Sequence, residues 1–114
     1  MILTVSATAQ SKLAGSWTLV SMTDEQGKEI SLPKTQGITV TFDKGKINAK
    51  VCNYISGKYS AGKKSIKIDF TSSTLMACLE LTVERDFERL GELATTYSVV
   101  NNELICQVKR IDRF

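Results

Sequence analysis

Histidine is absent from the 114 residues, and this absence removes the commonest general base and metal ligand of proteins. No His-Cys zinc site, Ser-His-Asp triad or Cys-His pair can form within the chain. One motif of catalytic type remains, Ser60-Ala61-Gly62-Lys63, which fits S-x-x-K but falls in a predicted turn instead of at the start of a helix. We therefore expect no enzyme, no metal site and no cofactor.

Long apolar runs are also absent, since none approaches the roughly 18–20 residues that span a bilayer. We therefore expect no transmembrane segment. The composition, 42% hydrophobic and 24% charged, is ordinary for a soluble globular protein. A chain of 114 residues makes one domain. Its core is modest, because a domain of this size buries only about two-thirds of the surface that its unfolded chain exposes.

The charge is weakly basic, +3 from fifteen Lys and Arg against twelve Asp and Glu. Lysines are frequent between Lys44 and Lys67, whereas acids are frequent between Glu80 and Glu92. A basic face attracts anionic surfaces, but exposed lysines also keep a β-protein soluble and discourage edge pairing. We favour solubility, because aromatic residues are not interleaved with the lysines as in nucleic-acid modules. No nucleic-acid partner is expected.

The first nine residues, MILTVSATA, are apolar or small and carry no side-chain charge. They end in Ala7-Thr8-Ala9, and signal peptidases favour small residues at these two alanine positions after an apolar region. The basic start of a signal peptide is missing, so a frayed terminus is the alternative. We predict that residues 1–9 are a signal-peptide remnant or a disordered terminus, and that residues 10–114 form one extracytoplasmic domain, periplasmic or secreted.

Apolar and polar residues alternate along most of the chain, which predicts short β-strands separated by turns. Asp43-Lys44-Gly45 and Asn101-Asn102 have the residue types of hairpin turns. The predicted strands are Leu13–Met22, Ile38–Phe42, Lys46–Asn53, Tyr54–Ser60, Ser65–Phe70, Tyr97–Val100 and Glu103–Lys109. Short strands at this spacing favour a curved or barrel-like antiparallel sheet.

One segment has helical periodicity instead. Its apolar stripe is expected to cover the open side of the sheet, and it consists of Val83, Phe87, Leu90 and Ala94, flanked by Leu93. Thr82 is the predicted N-cap, and Asp86 and Arg89 are three apart and suited to an ion pair. Glu84 is counted among the acids of the solvated face. The predicted fold class is therefore α+β: a curved, barrel-like antiparallel sheet with one helix packed against it.

Three motifs give the chain a recognisable order. They are Leu13-Ala14-Gly15-Ser16-Trp17-Thr18-Leu19, then Cys52-Asn53-Tyr54-Ile55-Ser56-Gly57-Lys58-Tyr59, then Thr74-Leu75-Met76-Ala77-Cys78. In this order the sequence resembles the META/HslJ family, whose pattern runs L-x-G-x-W-x-L, G-C-N-x-x-x-G-x-Y and T-x-M-A-C before a helix. Glu84 and Phe87 match the E-x-x-F of that helix, whereas Val51 replaces the usual glycine before Cys-Asn.

The resemblance implies a small extracytoplasmic domain of one helix against a curved antiparallel sheet, related to heat-shock HslJ-like proteins. The family has no generally accepted enzymatic activity, and its links to envelope stress are associations. Cys52 and Cys78 lie in two of the resembling motifs, which makes them the first choice for a disulfide over the two pairings with Cys106. A bridge closing about 27 residues contributes roughly 3.5 kcal/mol on the loop-entropy model. The alternative is three buried, reduced cysteines.

The remaining motif residues, Asn53, Gly57, Tyr59, Thr74 and Met76, have two interpretations. They line a binding site, or they maintain the fold through turn hydrogen bonds, a bulge and core packing. We favour the structural interpretation, because none of them is a strong chemical group.

These observations favour a non-enzymatic domain, a monomer, that acts by binding an unknown protein partner in the cell envelope or outside the cell. The alternatives are a carrier of small apolar ligands and an inhibitor of a secreted hydrolase. The alternating strands supply enough bulky side chains to fill a small barrel, which argues against a carrier with a hollow interior.

Overall fold

The computed structural model describes residues 2–5, 13–32, 37–74, 81–100 and 102–108 of the chain. Its elements in these ranges are β1 Ile2–Val5, β2 Gly15–Thr23, β3 Glu29–Ile30, β4 Thr39–Asp43, β5 Lys46–Lys50, β6 Tyr54–Ala61, β7 Ile66–Ser73, α1 Leu81–Leu93, β8 Ala94–Val100 and β9 Glu103–Val108. Every pairing of these strands is antiparallel. The predicted fold class is confirmed: a curled, half-barrel sheet carries one helix packed against it.

The strands follow one another across the sheet in the order β7-β6-β5-β4-β2-β1-β9-β8, and the short β3 pairs with β2. The outermost strands approach each other at one end, where Ser65 and Thr96 form an antiparallel bridge. Tyr97 reinforces this contact, because its backbone N–H donates to the carbonyl of Lys64 (2.8 Å) and its hydroxyl to that of Gly62 (2.7 Å). The curl of the sheet therefore brings its two edges together along part of their length.

Hairpin turns set the register where the sequence predicted them. Lys44 and Gly45 both have positive φ (48° and 82°), as does Asn102 (65°). Positive φ at both central residues is the geometry of a two-residue hairpin whose twist matches that of the strands. The turn therefore places Asp43 opposite Lys46 and sets the β4–β5 register.

Side chains fill the inside of the curl. Trp17 is fully buried and its indole N–H donates to the carbonyl of Leu13 at 2.9 Å, so its polar atom is satisfied. The other largest fully buried side chains are Phe87, Met22, Ile47, Ile55, Leu90, Leu104 and Val40. The expectation of a solid core built from the alternating positions is met in the described part of the chain.

The helix covers this core with the predicted stripe, since Val83, Phe87 and Leu90 are buried while Leu93 is 42% exposed. Some details of the prediction are wrong. Ala94, assigned to the stripe, is the first residue of β8, and the strand predicted at Lys46–Asn53 ends at Lys50. The helix begins at Leu81, so Thr82 lies inside its first turn and is not the N-cap. The strand after the Lys63-Lys64 turn does not end at Phe70 but runs to Ser73, because the pairing of β6 with β7 continues to Ile55 and Ser73.

Residues 1–9 include a strand in the structure. Ile2–Val5 pairs with β2 on one side and with β9 on the other, so it lies inside the sheet and not at its edge. The description of residues 1–9 as a signal-peptide remnant or a disordered terminus stays a prediction, as does cleavage by a signal peptidase.

A bulge interrupts β6 between Ser56 and Gly57, as the structural interpretation of Gly57 predicted. A Cβ atom at Gly57 would collide with the carbonyl oxygen of Asp69 and lie 2.7 Å from the Cα of Phe70. Both obstacles belong to the backbone of β7, which moves only if the strand pairing changes. The glycine is required here for close approach of two backbones.

We therefore expect Gly57→Ala to destabilise the domain strongly, at or above the upper end of the about 1–3 kcal/mol range for overpacking. Urea unfolding followed by tryptophan fluorescence measures the loss. Gly37→Ala is the matched control, because no atom lies within 4 Å of its Cβ position. Equal stability of the two variants would contradict this account of the bulge.

Candidate functional site

The motif residues Asn53 and Thr74 meet where β5 leads into β6 and where β7 ends. Asn53 is 3% exposed, and its side-chain Oδ1 accepts a hydrogen bond from the Thr74 hydroxyl at 2.9 Å. The Thr74 hydroxyl oxygen in turn accepts the backbone N–H of Tyr54 at 3.0 Å, and the Thr74 N–H donates to the Tyr54 carbonyl. Thr74 thus continues the hydrogen bonding between β6 and β7 one residue past Ser73, the last residue of β7.

Glu84 reaches this cluster from the first turn of α1. Its Oε1 accepts the backbone N–H of Asn53 at 2.8 Å, and its Oε2 accepts the Asn53 side-chain Nδ2 at 2.9 Å. The carboxyl group is therefore bound in a bidentate manner by a single residue. It also lies at the positive end of the helix dipole, which favours an acid in the first turn. We call Asn53, Thr74 and Glu84 the Asn–Glu joint.

The sequence analysis placed Glu84 among the solvated acids, and this is wrong, because Glu84 is only 6% exposed. The signal that could have found it is helical spacing. Glu84 lies three residues before Phe87 and seven before Gly91, both of which are buried, so it belongs to the stripe that faces the sheet. A buried acid on such a stripe needs a hydrogen-bond donor on the opposing element.

Glu88, one turn after Glu84, is half-buried. Its pKa is raised, first by burial and then by the negative charges of Glu84 and Glu92. Glu92 accepts the backbone N–H of Phe70 at 3.2 Å, on the outer side of the β7 edge. Glu84 and Glu92, two turns apart on α1, therefore accept backbone N–H groups from Asn53 and Phe70 respectively.

The other predicted motif residues also have packing roles. Tyr59 is half-buried, and its ring makes an edge-to-face contact with that of Phe42, with centroids 4.9 Å apart. Gly57 forms the β6 bulge described above. Met76 and Cys78 lie outside the described residues. The structure thus brings Asn53 and Thr74 together with Glu84, and places Gly57 and Tyr59 further along β6.

A separate cleft of about 420 Å³ opens between the turn after β2, helix α1 and strand β9. Leu90 and Cys106 are buried residues of its lining, and Asp24 and Glu25 line it from the turn. Burial raises the pKa of the Cys106 thiol to about 11. Since the thiolate is the reactive form, Cys106 is poorly suited to act as a nucleophile.

Arg89 fastens the turn to the helix beside this cleft. Its guanidinium donates to both carboxylate oxygens of Glu25 (3.0 and 3.1 Å) and to Asp86 at 2.7 Å. The predicted Asp86–Arg89 pair is confirmed, whereas its extension to Glu25 could not be read from the sequence. A hydrogen bond from the backbone N–H of Lys28 lowers the pKa of the Asp24 carboxyl group. The pKa of Glu25 is lowered by a hydrogen bond from the backbone N–H of Glu25 itself and by one from Arg89.

The polar side chains of the Asn–Glu joint bind one another. No buried side-chain nitrogen or oxygen of the described residues lacks a hydrogen-bond partner. Within the same ranges, no group of three or more Cys, Asp and Glu residues is placed to hold a metal ion. The joint therefore connects the helix to the sheet, and its polar atoms are already used.

We expect Glu84→Gln to lower the free energy of unfolding by about 1–3 kcal/mol, because an amide replaces one acceptor oxygen by a donor that faces the donors of Asn53. Chemical denaturation at neutral pH measures the loss. Glu88→Gln is the matched control on the same helix, and its stability should be unchanged or slightly higher, since Glu88 is half-buried near like charges. A tolerated Glu84→Gln would show that the joint is not needed for stability.

In comparisons with known proteins, the model of the family described as META domain matches residues 10–113. No curated protein and no solved structure matched the chain. The matched range contains the Trp17 strand, the Asn–Glu joint and the helix that supplies Glu84. The chain therefore belongs to the META domain family, a family of uncertain function.

Proposed function

We propose that this META domain is a non-enzymatic, extracytoplasmic module that acts by binding another protein of the cell envelope or a secreted protein. The observation that carries the proposal is the Asn–Glu joint. The polar residues that mark the family motif bind one another, with Asn53 donating to both oxygens of Glu84. Residues that hold a fold together in this way are not free to act on a substrate.

One surface available to a partner is the outer face of the sheet. Small hydroxyl side chains pair across neighbouring strands there, Ser16 with Thr41 at 3.2 Å and Ser56 with Ser72 at 2.7 Å. Asn48 lies between the two pairs in the register, opposite Thr41 on one side and Ser56 on the other. Exposed Lys46 and Lys50 flank this patch on β5, while its short polar side chains have few rotamers to lose when a partner binds.

The extracytoplasmic location rests on Ala7-Thr8-Ala9 after an apolar stretch and on the resemblance of the motifs. No helix within the described residues is long and apolar enough to cross a membrane. We include in this proposal a role of the protein in envelope stress or heat shock, which is supported by the resemblance of its motifs to the META/HslJ family.

The proposal includes a disulfide between Cys52 and Cys78, which suits an oxidising compartment. Cys106 carries a buried thiol in the core, which disfavours the two alternative pairings that would use it. Cys52 is half-buried and adjoins Asn53, so a bridge there would fix the loop that supplies the Asn–Glu joint.

Thiol titration with Ellman's reagent tests the bridge. The native protein should show no reaction near pH 8, since Cys106 is 3% exposed and its pKa is raised to about 11. The denatured, unreduced protein should show one thiol per chain, and after reduction it should show three. Three thiols before reduction would reject every disulfide.

A second candidate function, a carrier of a small apolar ligand, has the cleft beside Arg89 in its favour. Its volume of about 420 Å³ falls within the range of small-molecule sites. The interior of the curl does not serve this purpose, because Trp17, Ile47 and Ile55 fill it. Stoichiometric displacement of an apolar dye from the purified protein would favour the carrier over the interaction module.

Photo-crosslinking in the producing cells tests the interaction proposal. A photoreactive residue at Asn48, on the outer sheet face, should yield a discrete product with one partner in the envelope or secreted fraction. The same residue at Arg85, exposed on α1, is the control for non-specific capture. Absence of a product that depends on Asn48, or a protein retained uncleaved in the cytoplasm, would contradict the proposal.

A further inference from the structure

Strand β1 occupies an unusual place for a segment so near the start of the sequence. It pairs with β2 at four register positions and with β9 at three. In the sheet order of the described residues, β1 lies between β2 and β9, which are neighbours of β1 and not of each other. The META match begins at residue 10, so β1 lies outside the matched range.

The position between β2 and β9, which we call the β1 slot, has a defined chemistry. The Leu3 position lies opposite Leu19 and Leu104, which are buried, and the Val5 position lies opposite Trp17, which is fully buried. The Thr4 position lies between them, opposite Thr18 and Glu103. The slot therefore suits a short extended segment with an aliphatic, a polar and another aliphatic residue in succession.

Cleavage at the predicted signal-peptidase site would remove this strand. Ala7-Thr8-Ala9 follows Val5 closely, so cleavage after Ala9 would take all of Ile2–Val5 with it. The facing edges of β2 and β9 would then have unpaired backbone N–H and C=O groups next to the buried core. Unpaired edges of this kind are templates for another strand.

We propose that the β1 slot is a strand acceptor, which takes an extended aliphatic–polar–aliphatic segment of a partner protein after residues 1–9 have been removed. This inference rests on the extracytoplasmic interaction function proposed above and gives that interaction a mode, addition of a strand inside the sheet. Backbone hydrogen bonds to two neighbours supply affinity, and the two aliphatic positions supply specificity. The occupant would be a different protein, because the proposed processing would remove the same segment from every copy of this chain.

The experiment uses the full chain with a specific protease recognition sequence inserted between Ala9 and Gln10. The probe is a fluorescent peptide with the sequence of residues 1–9, MILTVSATA. Fluorescence anisotropy should show one peptide bound per cut protein, and none bound to the uncut protein, whose slot is filled by its own Ile2–Val5. Native mass spectrometry of the cut protein reports whether the original segment remains bound.

Two variant peptides make the test specific for strand pairing. Leu3→Pro removes a backbone donor and an aliphatic side chain, and should weaken binding by more than about tenfold. Thr4→Ser keeps a polar residue at the position opposite Thr18 and Glu103, and should bind nearly as well as the original peptide. Binding that does not distinguish the two variants would show non-specific adsorption and overturn the proposal.

Exchange of the cut segment for the labelled peptide, at one peptide per chain, would support a strand acceptor. A cut segment that the labelled peptide cannot displace would overturn the proposal, because the slot would then stay closed to a partner. Loss of the segment from a cut protein that stays folded and binds no peptide would overturn it, because the edges of β2 and β9 would then not bind a strand between them. Collapse of the cut protein that excess peptide does not prevent would overturn it equally. Finding the cellular protein uncleaved in the cytoplasm would contradict the extracytoplasmic proposal, while the peptide result would still report on the slot.

Discussion

The bidentate contact between the Glu84 carboxyl group and Asn53 is the interaction on which the rest of the structure depends. A curled sheet of short strands has an open side, and the helix that closes it needs a fixed register against the strands. Apolar packing of Phe87 and Leu90 supplies attraction but little direction. Two hydrogen bonds of 2.8 and 2.9 Å to one residue supply the direction.

Burying an acid in this way is costly unless its oxygens are satisfied, and Asn53 supplies a donor to each of them. Asn53 donates from its backbone and side-chain N–H groups to the two oxygens of Glu84, while its side-chain oxygen Oδ1 accepts a hydrogen bond from the Thr74 hydroxyl. The helix dipole adds a further favourable contribution at the first turn. The joint thus links three segments that are far apart in the sequence, and this explains why a motif of weak chemical groups coincides with the centre of the fold.

Much of the fold was readable from periodicity, because each strand has one buried face and α1 has one buried stripe. Trp17, Leu19, Ile66, Ile68 and Phe87 were assigned to the correct faces for this reason. Partnerships between distant segments were not readable, since nothing local pairs Arg89 with Glu25 or Glu84 with Asn53. Glu84 was assigned to the solvated face because it is charged, although its helical spacing places it on the buried stripe. The strand at Ile2–Val5 was missed because an apolar start followed by small residues is also the pattern of a signal peptide.

Several polar side chains of this domain form hydrogen bonds between its elements. Glu84, Asn53 and Thr74 connect elements, and Arg89 fastens a turn, so these groups stabilise the fold. In the proposals above, recognition falls to the outer face of the sheet and to the β1 slot.

Amide hydrogen exchange at the Asn53 backbone N–H tests the central claim most directly. This N–H donates to a buried carboxyl oxygen in a loop, and not to a strand neighbour. If the Asn–Glu joint holds helix and sheet together, the amide should exchange only on global unfolding, with the slowest amides of the strands. Exchange at the rate of an exposed loop amide, while those strand amides stay protected, would contradict the account.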